Sequence, residues 1–152
     1  MKVIKVDQVT RESHPGPLFT GPVTMKQIIG KELSEKLLIM QVNFGLGVRN
    51  KFHSHTVEQV LIVTEGKGIV ATEKEEINVV PGDVIFIPPG EKHWHGAAKG
   101  ATFSHIYVMS SDARTTQLEP QETNLEVAYT AARSSLPAGN RQEQCLIEVA
   151  EA

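Results

Sequence analysis

Gly47-Val-Arg-Asn-Lys-Phe-His53-Ser-His55-Thr-Val-Glu58-Gln59-Val-Leu-Ile-Val-Thr-Glu-Gly66 decides how the rest of the chain is read. Side chains on a β-strand alternate between its two faces. Residues 53, 55, 57 and 59 therefore share one face if a single strand runs through them. That face would present two imidazoles and a carboxamide to one point. Imidazole is the commonest metal ligand among side chains, and a His-x-His pair on a strand reaches one ion without bending the backbone. By the same parity Glu58, chemically the better ligand, points away, so Gln59 is placed inward and Glu58 outward.

A second stretch, Gly82-Asp-Val-Ile-Phe-Ile-Pro88-Pro-Gly90-Glu-Lys-His93-Trp-His95-Gly96, repeats the device. It reads as a strand, a Pro-Gly turn and a new strand opening with another His-x-His. His93 and His95 again share a face. Trp94 has the opposite parity and reads as packing.

The spacing Gly47, five residues, His-x-His, three residues, Gln59, six residues, Gly66 resembles the first motif of the cupin superfamily. Gly82, five residues, Pro88-x-Gly90, two residues, His93 resembles the second. Two positions depart from the pattern: Gln59 stands where Glu is usual, and Ala97 where Asn is frequent. Gln59, the run Glu91 to Ala97 and the later His105 resemble small single-domain cupins of the carboxymuconolactone decarboxylase-associated group, which includes manganese-dependent cupin hydroxynitrile lyases. The resemblance implies an all-β cupin barrel, that is, a double-stranded β-helix or jelly roll. It also implies a small-molecule substrate, a homodimer or higher homo-oligomer, and manganese as the first metal to consider. Iron, nickel and zinc also suit mixed nitrogen and oxygen ligands.

The chain has 152 residues, which suits one domain. No apolar run approaches the roughly 18 to 20 residues of a membrane helix. One cysteine, Cys145, cannot form an internal disulfide, so nothing points to an oxidising compartment. The start lacks the pattern of a signal peptide. A cytoplasmic protein is expected. The net charge of −3 and the absence of a basic run argue against a nucleic-acid partner.

Residues 2–9 are a candidate first strand, although their apolar positions do not alternate cleanly. Residues 13–22, with three prolines and two glycines, are loop, and His14 within them reads as a surface histidine. Val23 to Ile29 and Leu37 to Phe44 read as strands; Met40, Val42 and Phe44 share one face, either a pocket wall or plain core. Val60 to Val63 is apolar on both faces, so its outer face should be covered by another sheet or another subunit. Residues 65–68 read as a hairpin turn, 68–72 and 76–80 as a strand pair, 83–87 and 93–97 as a hairpin across the Pro-Gly turn, and 102–109 as the closing strand. The barrel is assigned to residues 1–111, with its motifs at 47–66 and 82–96. Residues 112–152 hold seven acids against three bases and read as a tail packing on the barrel or a partner subunit. Within it, Thr123-x-x-Glu126 opens a helix that ends at 136–139, and 145–149 alternates like a strand.

Five of the six histidines fall between 53 and 105. His53, His55 and His93 are the expected metal ligands, at spacing that marks a metal site. Gln59 is either the fourth ligand or a hydrogen-bonding residue that orients an imidazole. Three imidazoles and an amide leave the charge of a divalent ion uncompensated. Such a site favours Lewis-acid and proton-transfer chemistry on a small hydroxy or carbonyl compound. His95 and His105 are the candidate acid–base pair. The alternatives are a donor that orients a ligand for His95 and a packed core residue for His105. The resemblance, carried on Ser104-His105-Ile106, implies a role in the site. The activities this leaves open are a metal-dependent lyase, a metal-dependent dioxygenase and a non-catalytic binding or sensing barrel. Two histidines beyond those a metal needs favour catalysis.

Overall fold

A computed structural model of the chain describes residues 1–119. The helix and final strand expected after residue 120 lie outside the described residues. Eleven strands are present among those described: β1 Glu12–Ser13, β2 Val23–Ile29, β3 Leu37–Phe44, β4 His53–His55, β5 Gln59–Gly66, β6 Gly68–Thr72, β7 Glu76–Val79, β8 Val84–Ile87, β9 His93–Ala97, β10 Phe103–Ser110 and β11 Thr115–Gln117. They form two antiparallel sheets, β1-β2-β3-β10-β5-β8 and β11-β4-β9-β6-β7. This is the jelly-roll arrangement expected. No helix among the described residues is long and apolar enough to cross a membrane.

Alternation builds the core. In β3, Val42 and Phe44 turn inward; in β5, Leu61 and Val63 do; in β10, Phe103 does. These residues join one buried apolar cluster with Val23, Val70, Val79 and Ile87 from both sheets. Burial of this kind is worth about 25 cal/mol per Å² of apolar surface and holds the inward faces of β4, β5 and β9 in fixed register.

Several local expectations change. Residues 2–9 do not form a strand; Val6–Gln8 make a single 3-10 turn, tied down where the Lys26 ammonium donates to the Val6 carbonyl at 2.8 Å. Their apolar residues have no period of two to align with a sheet face. Residues 65–68 are not a hairpin. β5 belongs to one sheet and β6 to the other, so the chain crosses between sheets at Gly66-Lys67. Gly66 makes this crossing possible, with φ +78° and a virtual Cβ only 2.0 Å from the Thr102 carbonyl oxygen. The Pro88-Pro-Gly90 turn is likewise a crossing, from β8 in one sheet to β9 in the other. The Gly90 N–H donates to the His55 carbonyl at 2.8 Å, joining the second histidine stretch to the first. Finally, β11 pairs with β4, Thr115 opposite His55 and Gln117 opposite His53. The barrel therefore continues beyond the boundary placed at residue 111.

Candidate metal centre and its cavity

His53 and His93 are register partners across β4 and β9, and His55 lies two residues along β4 on the same inward face. Gln59 arrives from the other sheet. The chain leaves β4 after His55, turns over residues 56–58 and enters β5 at Gln59. Glu58 is exposed and Gln59 buried, as parity placed them, although the single unbroken strand behind that reasoning does not exist. Both sheets thus contribute side chains to one point.

Each imidazole is held through its Nδ1. His53 Nδ1 lies 2.8 Å from the Lys51 carbonyl oxygen, and His93 Nδ1 lies 2.9 Å from that of Glu91. A carbonyl can only accept, so both rings carry their proton on Nδ1 and present a lone pair at Nε2. The same device, a carbonyl two residues upstream, serves both strands. His55 Nδ1 pairs with the Thr115 hydroxyl at 3.0 Å, which is β11's contribution to the site. Ligand nitrogens of His53, His55 and His93 lie within 4.8 Å of one another.

Two observations test whether these residues fit a cation. His55 Nε2 is buried and has no hydrogen-bond partner among the described residues, an arrangement that is costly unless something binds the lone pair. His93 Nε2, also a lone pair, faces Gln59 Oε1 at 3.2 Å. Two acceptors at that distance repel each other unless a positive charge lies between them. The donor set of three neutral imidazoles fits a divalent ion. Burial, followed by the neighbouring His93, lowers the His53 pKa from 6.5 to about 3. The same two causes lower His55 to about 4. The rings are therefore neutral at pH 7 and need lose no proton to bind a metal.

His95 and His105 stand beside this cluster. The rings of His53 and His95 are 5.6 Å apart, and those of His95 and His105 4.7 Å. His105 Nε2 lies 3.2 Å from His95 Nδ1. Both rings are buried, which pushes the His95 pKa well below its ordinary value and that of His105 to about 3. The aromatic ring of Phe44 contacts both.

A cavity of about 380 Å³ opens onto the cluster. His53, His55, Gln59 and His95 form its floor, and Met40, Val42 and Phe44 of β3 one wall, so the inward parity of β3 makes a pocket wall. Tyr107 borders it too, its hydroxyl pKa raised to about 12 by burial. His105 does not border the cavity and has no exposed surface. Of the expected acid–base pair, His95 lines the cavity and His105 lies behind it.

Three contributors were not foreseen. Asn50 is 3% exposed and hydrogen-bonded to His95. Thr115 comes from beyond the expected barrel boundary. His14, exposed as expected, also lines the cavity, on the loop whose Phe19 bridges Asn50. Each reaches the site by long-range pairing, which leaves no periodic trace in the sequence. Trp94 faces away, under the Arg49 guanidinium at 4.9 Å, and packs as expected.

A family model described as a Cupin domain matches residues 40–109. The (R)-mandelonitrile lyase of Granulicella tundricola is 33% identical over 109 residues, spanning 71% of this chain and 83% of that protein. Among solved structures, a cupin-like protein from Thermotoga maritima superposes with a TM-score of 0.69 at 30% identity, covering 81% of this chain and 96% of its own. The polyketide cyclase RemF from Streptomyces resistomycificus reaches a TM-score of 0.73 at 21% identity, over 85% and 93%. At that identity the likeness is one of fold.

Proposed function

Because the chain belongs to the cupin superfamily, we propose that it is a divalent-metal-dependent lyase acting on a small hydroxy or carbonyl compound, with a cyanohydrin of the mandelonitrile type as the first substrate to test. His53, His55, Gln59 and His93 would hold the ion, with manganese first and iron second in order of expectation. When bound there, the ion supplies Lewis acidity toward an oxygen of the substrate.

The observation that carries the reading is a further imidazole, His95, lining the cavity beside the three convergent histidines His53, His55 and His93. Cleavage of a cyanohydrin needs one proton removed from the hydroxyl. As the carbonyl forms, the bond to the nitrile carbon breaks and its electron pair leaves with cyanide, which is then protonated. In this reading His95, which lines the cavity, would take the hydroxyl proton and return it to cyanide. A neutral imidazole is a competent base near pH 7. His105, behind it, acts through His95. The apolar wall of Met40, Val42 and Phe44 suits an aryl or alkyl substituent and excludes water. The 33% identity to a mandelonitrile lyase supports the same substrate class.

The test is direct. Protein loaded with manganese or iron is mixed with racemic mandelonitrile, and release of aldehyde and cyanide is followed. Enantioselective turnover that disappears on chelation supports the proposal. Oxygen uptake without cyanide release moves the reading to a dioxygenase, and binding without turnover moves it to a sensing barrel.

A further inference from the structure

Tyr107 belongs to none of the expected ligand or acid–base residues, yet it brings the one phenol to the cavity wall. It lies on the inward face of β10, opposite Met40 of β3 and Leu61 of β5, and it lines the cavity. Both neighbours are apolar, so its oxygen is a polar atom set in an apolar stretch of wall. The next inward residue along β5 is Gln59, opposite Met109. One such step is about 7 Å. Tyr107 and the candidate metal ligands therefore lie within the span of one small molecule.

Most other polar side chains on this lining are already engaged. Asn50 Oδ1 accepts the His95 backbone N–H at 2.7 Å, and Gln27 Nε2 donates to Glu32 at 3.3 Å. The Thr115 hydroxyl pairs with His55, and His95 pairs with His105. His14 is exposed on its loop. Among the described residues nothing hydrogen-bonds the Tyr107 hydroxyl, and it is not sealed from solvent. Burial raises its pKa to about 12, so at pH 7 it is a neutral O–H. A ligand that covers such a group must accept its hydrogen or leave a buried donor unpaired, which weakens binding.

We propose that Tyr107 is a substrate-binding residue whose O–H donates to a second acceptor of the bound molecule, while a first acceptor, an oxygen, faces the metal ligands. For a cyanohydrin the second acceptor is the nitrile nitrogen, and to that extent the inference rests on the function proposed above. When the bond to the nitrile carbon breaks, negative charge spreads onto that nitrogen. The hydrogen bond then strengthens. Tyr107 keeps its own proton throughout.

Phenylacetonitrile and 3-phenyl-1-propyne test this. They share a phenyl ring and a linear triple-bonded group, but only the nitrile accepts a hydrogen bond. Neither carries the hydroxyl that cleavage needs. Their Kd values are measured by NMR titration on the parent and on Tyr107→Phe, with and without zinc. The ratio of alkyne Kd to nitrile Kd should be roughly 3- to 10-fold larger in the parent than in the variant, the worth of one neutral hydrogen bond. An unchanged ratio, or a nitrile that does not bind the parent, overturns the proposal. The chain has two tyrosines, Tyr107 and Tyr129. In parent protein labelled with ¹³C at the tyrosine carbon bearing oxygen, one signal should respond to the nitrile and not to the alkyne. Equal responses to both probes overturn the proposal whether or not the variant folds. In the mandelonitrile assay Tyr107→Phe should lower kcat/KM by roughly 10- to 10²-fold, and undiminished turnover overturns the proposal. A wrong substrate class abolishes turnover in the parent but leaves the binding ratio, so the two failures differ.

Discussion

His95 and His105 look equivalent in the sequence, each a histidine beyond those a metal needs on a strand that faces inward, and what separates them in the fold is the cavity. His95 borders the cavity and His105 does not. Replacing His95 by Ala should cut turnover by roughly 10²- to 10⁴-fold, the range for a lost general base. His105→Ala should cost less, and both variants should keep their metal by elemental analysis. A larger loss at His105 than at His95 would return the base role to His105. Gln59→Glu makes a second contrast. It places a carboxylate at a position only 3% exposed. Without metal that charge is costly to bury; with metal it offsets part of the ion's charge. Thermal melting should therefore show the variant less stable than the parent in chelator and more stable with manganese. The candidate metal-binding histidines were legible because their spacing of two matches a strand. Asn50 and Thr115 were not, because their roles depend on which distant strands pair.

The strands themselves were legible wherever a period of two survived: β2 and β3 fall at the residues expected, and β10 close to them. Their connections were not. Turn chemistry at residues 65–68 and 88–90 announces a reversal, but the same glycines and prolines serve a crossing between sheets as well as a hairpin. Gly66 shows the difference, since its left-handed φ and its approach to Thr102 are required by the crossing. Gly66→Ala should cost roughly 2 kcal/mol or more, from the strained φ and the backbone clash together. Chemical denaturation of the metal-free protein measures it, and a cost below about 0.5 kcal/mol would contradict the close approach. Gly96 is a second such point, its virtual Cβ 2.3 Å from Arg49 Cα. A side chain there would push away the segment that carries Asn50.

For the whole molecule, five histidines buried in neutral form make stability depend on pH. In the metal-free protein His53 and His105 titrate near 3 and His55 near 4, against about 6.5 in an unfolded chain. Between these values the unfolded state binds protons that the native state does not, so stability falls as pH drops below about 6.5. The slope is about 1.4 kcal/mol per pH unit for each such group. Urea midpoints that stay constant from pH 7 to pH 5 would contradict this. A second property concerns association. Val60 opposite Phe86 and Ile62 opposite Val84 form an apolar patch on the outer face of β5 and β8, with Phe86 64% and Val84 65% exposed. No sheet among the described residues covers it. A homodimer is the expected cover; light scattering should give twice the chain mass, and Phe86→Glu should halve it. The central claim is that the two sheets close around one divalent ion. Anomalous diffraction at the manganese and iron edges, from protein crystallised without added chelator, tests it most directly. The account predicts one peak about 2.0 to 2.3 Å from the Nε2 atoms of His53, His55 and His93 and from Gln59 Oε1. Density without such a peak, or a peak ligated by Glu58, would contradict it.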